Sequence, residues 1–384
     1  MDPDAAPVLF VAVTAERPLR VAGLATRDMR PYGGHPVQAI AELAQALRSV
    51  PVDLIHVGGE ILTCSAREAA VMLLDEKVAE QTLRRQAHEA GSTHASPAQG
   101  MLGITAHAPY VVPKSRFAQP GIFVYNAVGG VMLEESEPLL RAEVIGTLRC
   151  ADAVTVRDAR TRHSLAGHGV RAELVPDPAV LVAELFGDRI ALRRQTGEPF
   201  ELARRFSAGH LAVQFSADFA DDASLDLLAA QFDRLAEETD CGLAFFRAGA
   251  APMHDALVLY RAVRDRMRHG ERTALIESLD IWTLCGVIAA SRGFLGSSLH
   301  GRIVALAYGL PRVTLAAAPA APGKQLAFAE TWEIGAMPGV VGLQDAADAM
   351  LTAMGIPRRL SMDHARHVAA VCRQGCVSWL SLLA

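Results

Sequence analysis

Short apolar runs alternate with helix-like segments along most of this sequence, and the alternation limits the folds that the chain can adopt. The runs read as buried strands, whereas the segments between them place apolar residues at helical spacing. Such alternation favours parallel sheets covered by helices on both faces, so the sequence predicts an α/β fold. The predicted strands are residues 8–13, 19–25, 53–62, 122–130, 153–158, 210–218, 241–249, 273–278, 293–298 and 312–316.

The alternation is interrupted after VPDPAV (175–180) by a charge-rich helical stretch over about 187–206. A chain of 384 residues, 51% of them hydrophobic, is long enough to bury two cores of ordinary size. We therefore predict two Rossmann-like domains that face each other across a cleft, the first over residues 1–185 and the second over 186–360. Residues 361–384 are predicted to form a helical tail that packs back on the first domain.

The composition excludes several classes of protein. The net charge is −5 and the basic residues are scattered, which argues against a nucleic-acid partner. The opening MDPDAAP lacks the basic region of a signal peptide, and no run approaches the roughly 20 apolar residues that cross a bilayer. Six cysteines lie without framework spacing. We expect a cytoplasmic protein with reduced thiols.

One pair of cysteines raises the question of a metal site. Cys372 and Cys376 lie four residues apart on a predicted helix, with His364 and His367 upstream. No second conventional ligand pair follows, so the pattern favours a structural helix over a zinc site. We therefore predict no metal.

The stretch GSSLHGRIVALAYGLP, residues 296–311, carries the main functional candidate, His300. A strand ending at Gly296 runs there into a helix, and Ser297 and Ser298 supply hydroxyls of the kind that cap helix N-termini. His300 is then expected in the first helical turn, where free backbone N–H groups favour a phosphate or carboxylate. An imidazole in that place suits general acid catalysis or a structural hydrogen bond, and the local pattern leaves both roles open.

Three charged residues are further candidates. Arg157 ends the strand VTVR, so its guanidinium is expected at the carboxyl edge of the first sheet, where it suits a bidentate grip on an anion. The alternative is an ion pair with Asp158 within the turn. Asp177, in VPDP, is interpreted as a residue that caps or turns the chain. Lys324 lies in a Gly/Pro-rich loop, where it either faces solvent or closes over an anionic ligand.

Two glycine turns are weaker signals. Gly58 and Gly59 follow a buried strand, where they allow a tight turn or the close approach of a ligand to the backbone. The turn Tyr32-Gly33-Gly34, ahead of the first long helix, leaves the same two interpretations open.

Taken in order, several segments resemble the polysaccharide pyruvyl transferase family. They are YGG (32–34), VGGEIL (57–62), YNAVGG (125–130), VTVRDARTRHSLAGHGV (154–170), VPDPAV (175–180), SSLHGRIVALAYGLP (297–311) and the later Lys324. The resemblance covers most of the chain. It implies two facing Rossmann-like domains in a glycosyltransferase-B-like (GT-B-like) arrangement.

The resemblance also implies a reaction. The pyruvyl group of phosphoenolpyruvate is transferred onto two sugar hydroxyls as a cyclic ketal, and phosphate is released. Arg157 matches the family's anion-binding arginine, His300 the histidine of its RLH or SLH motif, and Lys324 its later lysine. The family commonly has an arginine two residues before the histidine, where this chain has Ser298, and a few extra Ala and Pro residues precede Lys324.

These expectations define a candidate site. The catalytic residues are His300 and Arg157. The expected donor-binding residues are Ser297, Ser298, Leu299, Arg302 and Lys324. Arg302 or Lys324 is expected to supply the positive charge that Ser298 lacks. The residues expected on the acceptor side or in the cleft are Tyr32, Gly33, Gly34, Gly58, Gly59 and Asn126.

The expected function is a transferase of exopolysaccharide or cell-wall glycan biosynthesis. Its substrates are phosphoenolpyruvate and a glycan or lipid-linked saccharide, without a cofactor, and a lipid-linked acceptor implies peripheral association with a membrane. Two alternatives stay open. A nucleotide-sugar glycosyltransferase would need a carboxylate such as Glu277 or Asp280 to hold a ribose. A non-catalytic glycan-binding protein would need no donor site. The sequence leaves the acceptor sugar and the oligomeric state undetermined.

Overall fold

The computed structural model describes residues 11–12, 38–71, 98–99, 104–248, 255–319, 321 and 323–383. The predicted strand at 19–25 and the glycine turn Tyr32-Gly33-Gly34 lie outside these residues. Only residues 11 and 12 of the predicted strand at 8–13 are described, and they form a short strand.

Every predicted strand from residue 53 onward coincides with an observed strand, and each observed strand ends between about one and five residues earlier than predicted. The observed strands are β1 (Val11–Ala12), β2 (Gln38–Ala39), β3 (Val52–Val57), β4 (Pro120–Val128), β5 (Ala153–Val156), β6 (Glu173–Leu174), β7 (His210–Gln214), β8 (Gly242–Phe246), β9 (Thr273–Ile276), β10 (Gly293–Gly296), β11 (Arg312–Leu315) and β12 (Val340–Val341). The observed α-helices are α1 (Ile40–Ala46), α2 (Ala66–Val71), α3 (Pro138–Leu148), α4 (Ala159–Gly167), α5 (Val182–Arg193), α6 (Gly197–Arg205), α7 (Asp222–Thr239), α8 (Leu257–Arg266), α9 (Ile281–Ala289), α10 (Leu299–Ala307), α11 (Lys324–Trp332), α12 (Ala346–Met354) and α13 (Arg358–Leu380).

The first sheet is parallel, and its spatial order β3-β4-β5-β6 follows the chain. Strands β1 and β2 form a separate parallel pair. The last six residues of β4 are all buried, as expected where both faces of a parallel sheet are covered. Because the strands run in one direction, the segments that follow them meet at a single edge of the sheet.

The second sheet has six parallel strands in the order β12-β11-β10-β7-β8-β9. The chain builds outward from β7 to β8 and β9, then returns to β10 on the other side of β7. This reversal makes the space between β7 and β10 a topological switch point. Ligands of such sheets bind in the crevice beyond the carboxyl ends of the strands at that point.

Side chains of the second sheet alternate between two apolar clusters. Leu211 and Val213 of β7 belong to the cluster beneath α7, α8 and α12, whereas Ala212 belongs to the cluster beneath α5, α6, α9 and α10. This period of two is what strand geometry imposes, and it gives each face a helical layer to bury. The predicted doubly covered parallel sheet is confirmed.

The C-terminal helix α13 joins the two domains. It covers the segment Val175–Leu181, along which the chain leaves the first sheet, and both pack with α10 in one apolar cluster. Trp379 Nε1 donates a hydrogen bond of 3.1 Å to Asn126 Oδ1 in β4. The predicted return of the tail to the first domain is confirmed, while the domain boundary at residue 185 stays a prediction. None of the helices in the described part of the chain has the length and apolar character to span a bilayer.

Candidate active site

His300 lies where the strand-to-helix junction was predicted. Strand β10 ends at Gly296, and the Ser298 hydroxyl caps α10 by accepting the Gly301 N–H at 3.1 Å. Because β10 is the neighbour of β7, the first turn of α10 stands at the switch point of the second sheet. The N–H groups of Leu299 and His300 lack intrahelical acceptors in this first turn, so they could bind an anion in the crevice.

Gln214, the last residue of β7, fixes this junction. Its Oε1 accepts the Ser298 N–H at 2.7 Å, while its Nε2 donates to both carboxylate oxygens of Asp255 at 2.9 Å. The Ser297 hydroxyl accepts the Ser216 N–H at 3.1 Å. The sequence predicted Ser297 and Ser298 as donor-binding residues. In the structure, both hydroxyls instead form hydrogen bonds within the protein.

The His300 imidazole projects into the cleft towards the first domain. Its Nε2 lies 3.7 Å from Asp177 Oδ2, and 61% of its side-chain surface is exposed. Desolvation by the neighbouring protein lowers the pKa of His300 from its ordinary value. The negative charge of Asp177 opposes that shift, whereas the positive charges of Arg157 and Lys324 add to it.

Arg157 follows β5 at the carboxyl edge of the first sheet, as predicted, but its guanidinium is held by the protein itself. Nη2 lies 2.6 Å from Glu60 Oε2, and Nη1 lies 2.9 Å from Asp177 Oδ2. Only 3% of the side chain is exposed. Burial alone would lower the pKa of Arg157, but the two carboxylates raise it above its ordinary value. The alternative ion pair with Asp158 is wrong, because that carboxylate caps α4 by accepting the Thr161 N–H at 2.7 Å.

Glycines make room for this cluster. Gly58 and Gly59 both adopt left-handed backbone angles, with φ of +57° and +77°, so they form a tight turn. A Cβ atom on Gly58 would lie 4.0 Å from Asp177 Oδ2. A Cβ atom on Gly129 would lie 2.7 Å from Arg157 Nε and collide with Glu60. The glycine pair predicted for the cleft therefore borders the charged cluster.

Asp177 is the residue whose importance the sequence interpretation missed. It caps the short 3-10 helix Pro178–Leu181 through Oδ1, which accepts the Ala179 N–H at 3.0 Å, as expected of a turn residue. Its second oxygen, Oδ2, stands between Arg157 and His300. The available signal was its position soon after the end of β6 at Leu174, which places it at the same sheet edge as Arg157.

Lys324 begins helix α11 instead of lying within a loop, with Gly323 as the preceding cap residue. Its charge acts on His300. The other end of α11 docks on the first domain, where Trp332 Nε1 donates to the Arg157 carbonyl at 2.7 Å and Glu330 forms two hydrogen bonds with Arg160. Helix α11 therefore joins the two domains beside the cleft.

Three predicted site residues lie elsewhere. Arg302 is fully buried and bonds to Glu333, Thr314 Oγ1 and two backbone carbonyls, so its role as a donor-binding charge is corrected to a structural one. Leu299 packs its side chain in the apolar cluster under α13, which leaves only its N–H for a donor. Asn126 is buried beneath Trp379 and does not line the cleft.

No group of three or more His, Cys, Asp or Glu side chains in the described residues is arranged to hold a metal ion. Cys372 is instead buried against the crossing segment, and its Sγ lies 3.5 Å from the Pro176 carbonyl oxygen. Burial raises the pKa of this thiol to about 12, so it is neutral.

Solved structures share this architecture at low sequence identity. The UDP-GlcNAc 2-epimerase of Neisseria meningitidis, bound to UDP-GlcNAc, is 11% identical with a TM-score of 0.50, and the match covers 87% of this chain and 100% of that one. The S. aureus MnaA–UDP complex is 13% identical with a TM-score of 0.50, covering 88% of this chain and 79% of that one. These similarities concern the fold alone. The protein is thus an α/β protein with two Rossmann-like domains of the GT-B type.

The sequence match is more specific than the fold. Residues 130–318 match the family model for polysaccharide pyruvyl transferase, a range that includes Arg157, Asp177 and His300. The match confirms the resemblance of this region to the polysaccharide pyruvyl transferase family. Glu60 and Lys324 lie outside the matched range. None of the curated proteins matches the sequence.

Proposed function

We propose that this protein transfers the pyruvyl group of phosphoenolpyruvate onto two hydroxyls of a glycan, forming a cyclic ketal and releasing phosphate. The observation that carries the proposal is the position of His300. It stands on the first turn of α10 at the switch point, beside a cluster of charges from the first domain. Within a family of pyruvyl transferases, that is the place for an acid facing an anionic donor.

The donor would bind by its phosphate and carboxylate groups. The N–H groups of Leu299 and His300 and the positive end of the α10 dipole favour an anion, and Lys324 adds a point charge. Arg157 lies behind Asp177, so its charge reaches the donor only in part. With Arg302 in the core, Lys324 is the stronger candidate for the charge that Ser298 does not supply.

The chemistry then follows in two steps. His300, protonated as the donor anions approach, gives its proton to the methylene carbon of phosphoenolpyruvate, which leaves an oxocarbenium-like carbon. The first sugar hydroxyl adds to that carbon and returns its proton to His300. The second hydroxyl displaces the phosphate, which leaves with the remaining proton, and the two new C–O bonds close the ketal. No oxidant or reductant is needed.

The other expectations about partners are part of the proposal. The acceptor is a glycan or lipid-linked saccharide, and a lipid-linked acceptor would bring the protein to a membrane surface from the cytoplasm. A nucleotide-sugar glycosyltransferase finds little support in the candidate carboxylates. Glu277 pairs with Arg261 at 3.0 Å, and Asp280 caps α9 by accepting the Thr283 N–H at 2.8 Å.

The direct test is phosphate release from phosphoenolpyruvate against a panel of glycan acceptors, with the ketal product identified by mass.

His300→Gln is expected to lower turnover roughly 10²–10⁴-fold while leaving the melting temperature unchanged, because the side chain is largely exposed. His367→Gln, at an exposed position of α13, is the matched control and should retain full turnover. Calorimetry that detects no phosphoenolpyruvate binding with or without glycan would overturn the proposal, and turnover of a nucleotide sugar would favour the alternative enzyme.

A further inference from the structure

A single carboxylate oxygen links the two sides of the cleft. Asp177 Oδ2 lies 2.9 Å from Arg157 Nη1 and 3.7 Å from His300 Nε2. Arg157 follows strand β5 of the first sheet, His300 lies in the first turn of α10, and Asp177 lies in the segment that connects the domains. Only 5% of the Asp177 side chain is exposed. A buried carboxylate therefore faces the exposed imidazole from its inner side.

This placement is fixed from several directions. Asp177 Oδ1 is engaged by the Ala179 N–H at 3.0 Å, so rotation of the carboxylate would break its cap. Val180 and Leu181 share an apolar cluster with Ile303 and Leu306 of α10, which holds the segment against the helix that carries His300. The carboxylate and the imidazole thus belong to one packed unit, as a positioning pair requires.

We infer that Asp177 is a positioning residue, which orients His300 through Nε2 and stabilises its protonated form so that Nδ1 delivers the proton to the donor. The inference rests on the proposed role of His300 as the acid. In the neutral ring, the Nε2–H tautomer is favoured, because Nε2 faces an acceptor. The other nitrogen, Nδ1, is then available to take up a proton as the anionic donor binds.

The charges around the ring support this assignment. Desolvation lowers the pKa of His300, and Arg157 and Lys324 act in the same direction. Asp177 is the charge that raises it. Glu60 acts on Arg157, and the neighbouring Cys372 thiol is neutral because burial raises its pKa to about 12. Without Asp177, the imidazole would face two cations and no opposing charge among these groups.

The test is the NMR titration of His300 in the free protein labelled with 15N- and 13C-histidine. Thirteen histidines contribute signals, and the spectrum of His300→Gln identifies the signal of interest. Asp177→Asn keeps an oxygen for the Ala179 N–H but removes the charge. We expect the pKa of His300 to fall by about one unit. We also expect the Nε2–H tautomer of the neutral ring to lose its excess over the Nδ1–H tautomer. Turnover near neutral pH should fall about tenfold with a smaller change in KM for phosphoenolpyruvate.

Glu60→Gln is the matched control, because it also removes one of the two carboxylates that bind Arg157 but leaves the partner of His300 in place. Its effect on the pKa of His300 should be less than half that of Asp177→Asn. If Asp177→Asn does not fold, Asp177→Ser, which retains a capping hydroxyl, gives the same comparison. An unchanged His300 titration in either folded Asp177 variant overturns the inference.

The outcome is separable from that of the proposed reaction. The titration measures the coupling between Asp177 and His300 without any substrate. An unchanged titration together with His300-dependent turnover would remove Asp177 alone from the mechanism. A shifted titration without turnover of phosphoenolpyruvate would instead retain the pair and overturn the assigned reaction.

Discussion

Two arginine–carboxylate clusters meet at α10, and they differ in almost every physical respect. The core cluster consists of Arg302, Arg312 and Glu333, whose side chains are 0%, 0% and 4% exposed. The cleft cluster consists of Glu60, Arg157, Asp177 and His300, and it ends at an imidazole that is 61% exposed. Their members on α10, His300 and Arg302, are only two residues apart.

The two clusters balance charge in opposite ways. In the core cluster, two cations share one carboxylate, and the carbonyls of Leu310, Pro338 and Gly339 accept further guanidinium protons. In the cleft cluster, two carboxylates share one arginine, so the excess negative charge faces His300. A closed, satisfied network fixes structure, whereas a network left open at a cleft can respond to a ligand. The comparison separates an arginine enclosed in the core from one whose carboxylate partner faces the cleft.

The largest expected effect comes from opening the core cluster. Glu333→Gln leaves Arg302 and Arg312 buried without a countercharge, and breaking a buried pair of this kind costs about 3–5 kcal/mol. Urea unfolding should show a loss of that size. Glu330→Gln, three residues earlier in the chain but in a pair exposed to solvent, is the control and should cost less than about 1 kcal/mol. Equal losses for the two variants would contradict the distinction between the clusters.

The same cluster predicts a dependence of stability on acid. Burial alone would raise the pKa of Glu333, but the charges of Arg302 and Arg312 lower it from 4.5 to about 2. Between these pH values the unfolded chain binds the additional proton, so falling pH favours unfolding. The contribution is complete above pH 4.5, is lost towards pH 2, and amounts to about 3 kcal/mol.

This effect can be isolated by measuring the free energy of unfolding of wild type and Glu333→Gln between pH 5 and pH 3. Both proteins are measured in the same sucrose buffer, because sucrose is excluded from the protein surface and stabilises the folded state. Other carboxylates contribute equally to both proteins. The free energy of unfolding should therefore fall more steeply with acid in wild type, by about 1.4 kcal/mol per pH unit at most. Parallel pH profiles would show that Glu333 is not held in its charged form.

The fold was predictable because its signals are local. Periods of two and of 3.6 residues, with capping serines and glycines, are sufficient to place β10 and α10 and to predict two parallel sheets. Even the crossing of α13 to the first domain follows from a long amphipathic segment after the second sheet. The ends of strands were less predictable, because they depend on where hydrogen bonding to the neighbouring strand stops and not on the strand's own sequence.

The charge partners were not predictable, because they depend on tertiary structure. Glu60 and Arg157 are 97 residues apart, and nothing in either local sequence indicates the other. The misplacement of Arg302 has a simpler cause. Residues two apart on an α-helix point in nearly opposite directions, so His300 in the cleft sends Arg302 into the core. Helical geometry, applied to that one pair, would have favoured Lys324 as the donor-binding cation.

The smallest expected effect tests whether Lys324 is the cation that binds the donor. Lys324→Met keeps the length of the side chain but removes the charge at the start of α11, so the KM for phosphoenolpyruvate should rise roughly 10- to 100-fold, the value of one charged hydrogen bond. Stability should change little. Lys114→Met is the matched control, because Lys114 pairs with Asp152 before β5, at the opposite edge of the first sheet. A normal KM in Lys324→Met would leave Arg157 as the donor's cation, and the cleft cluster would then have to open for the substrate to bind.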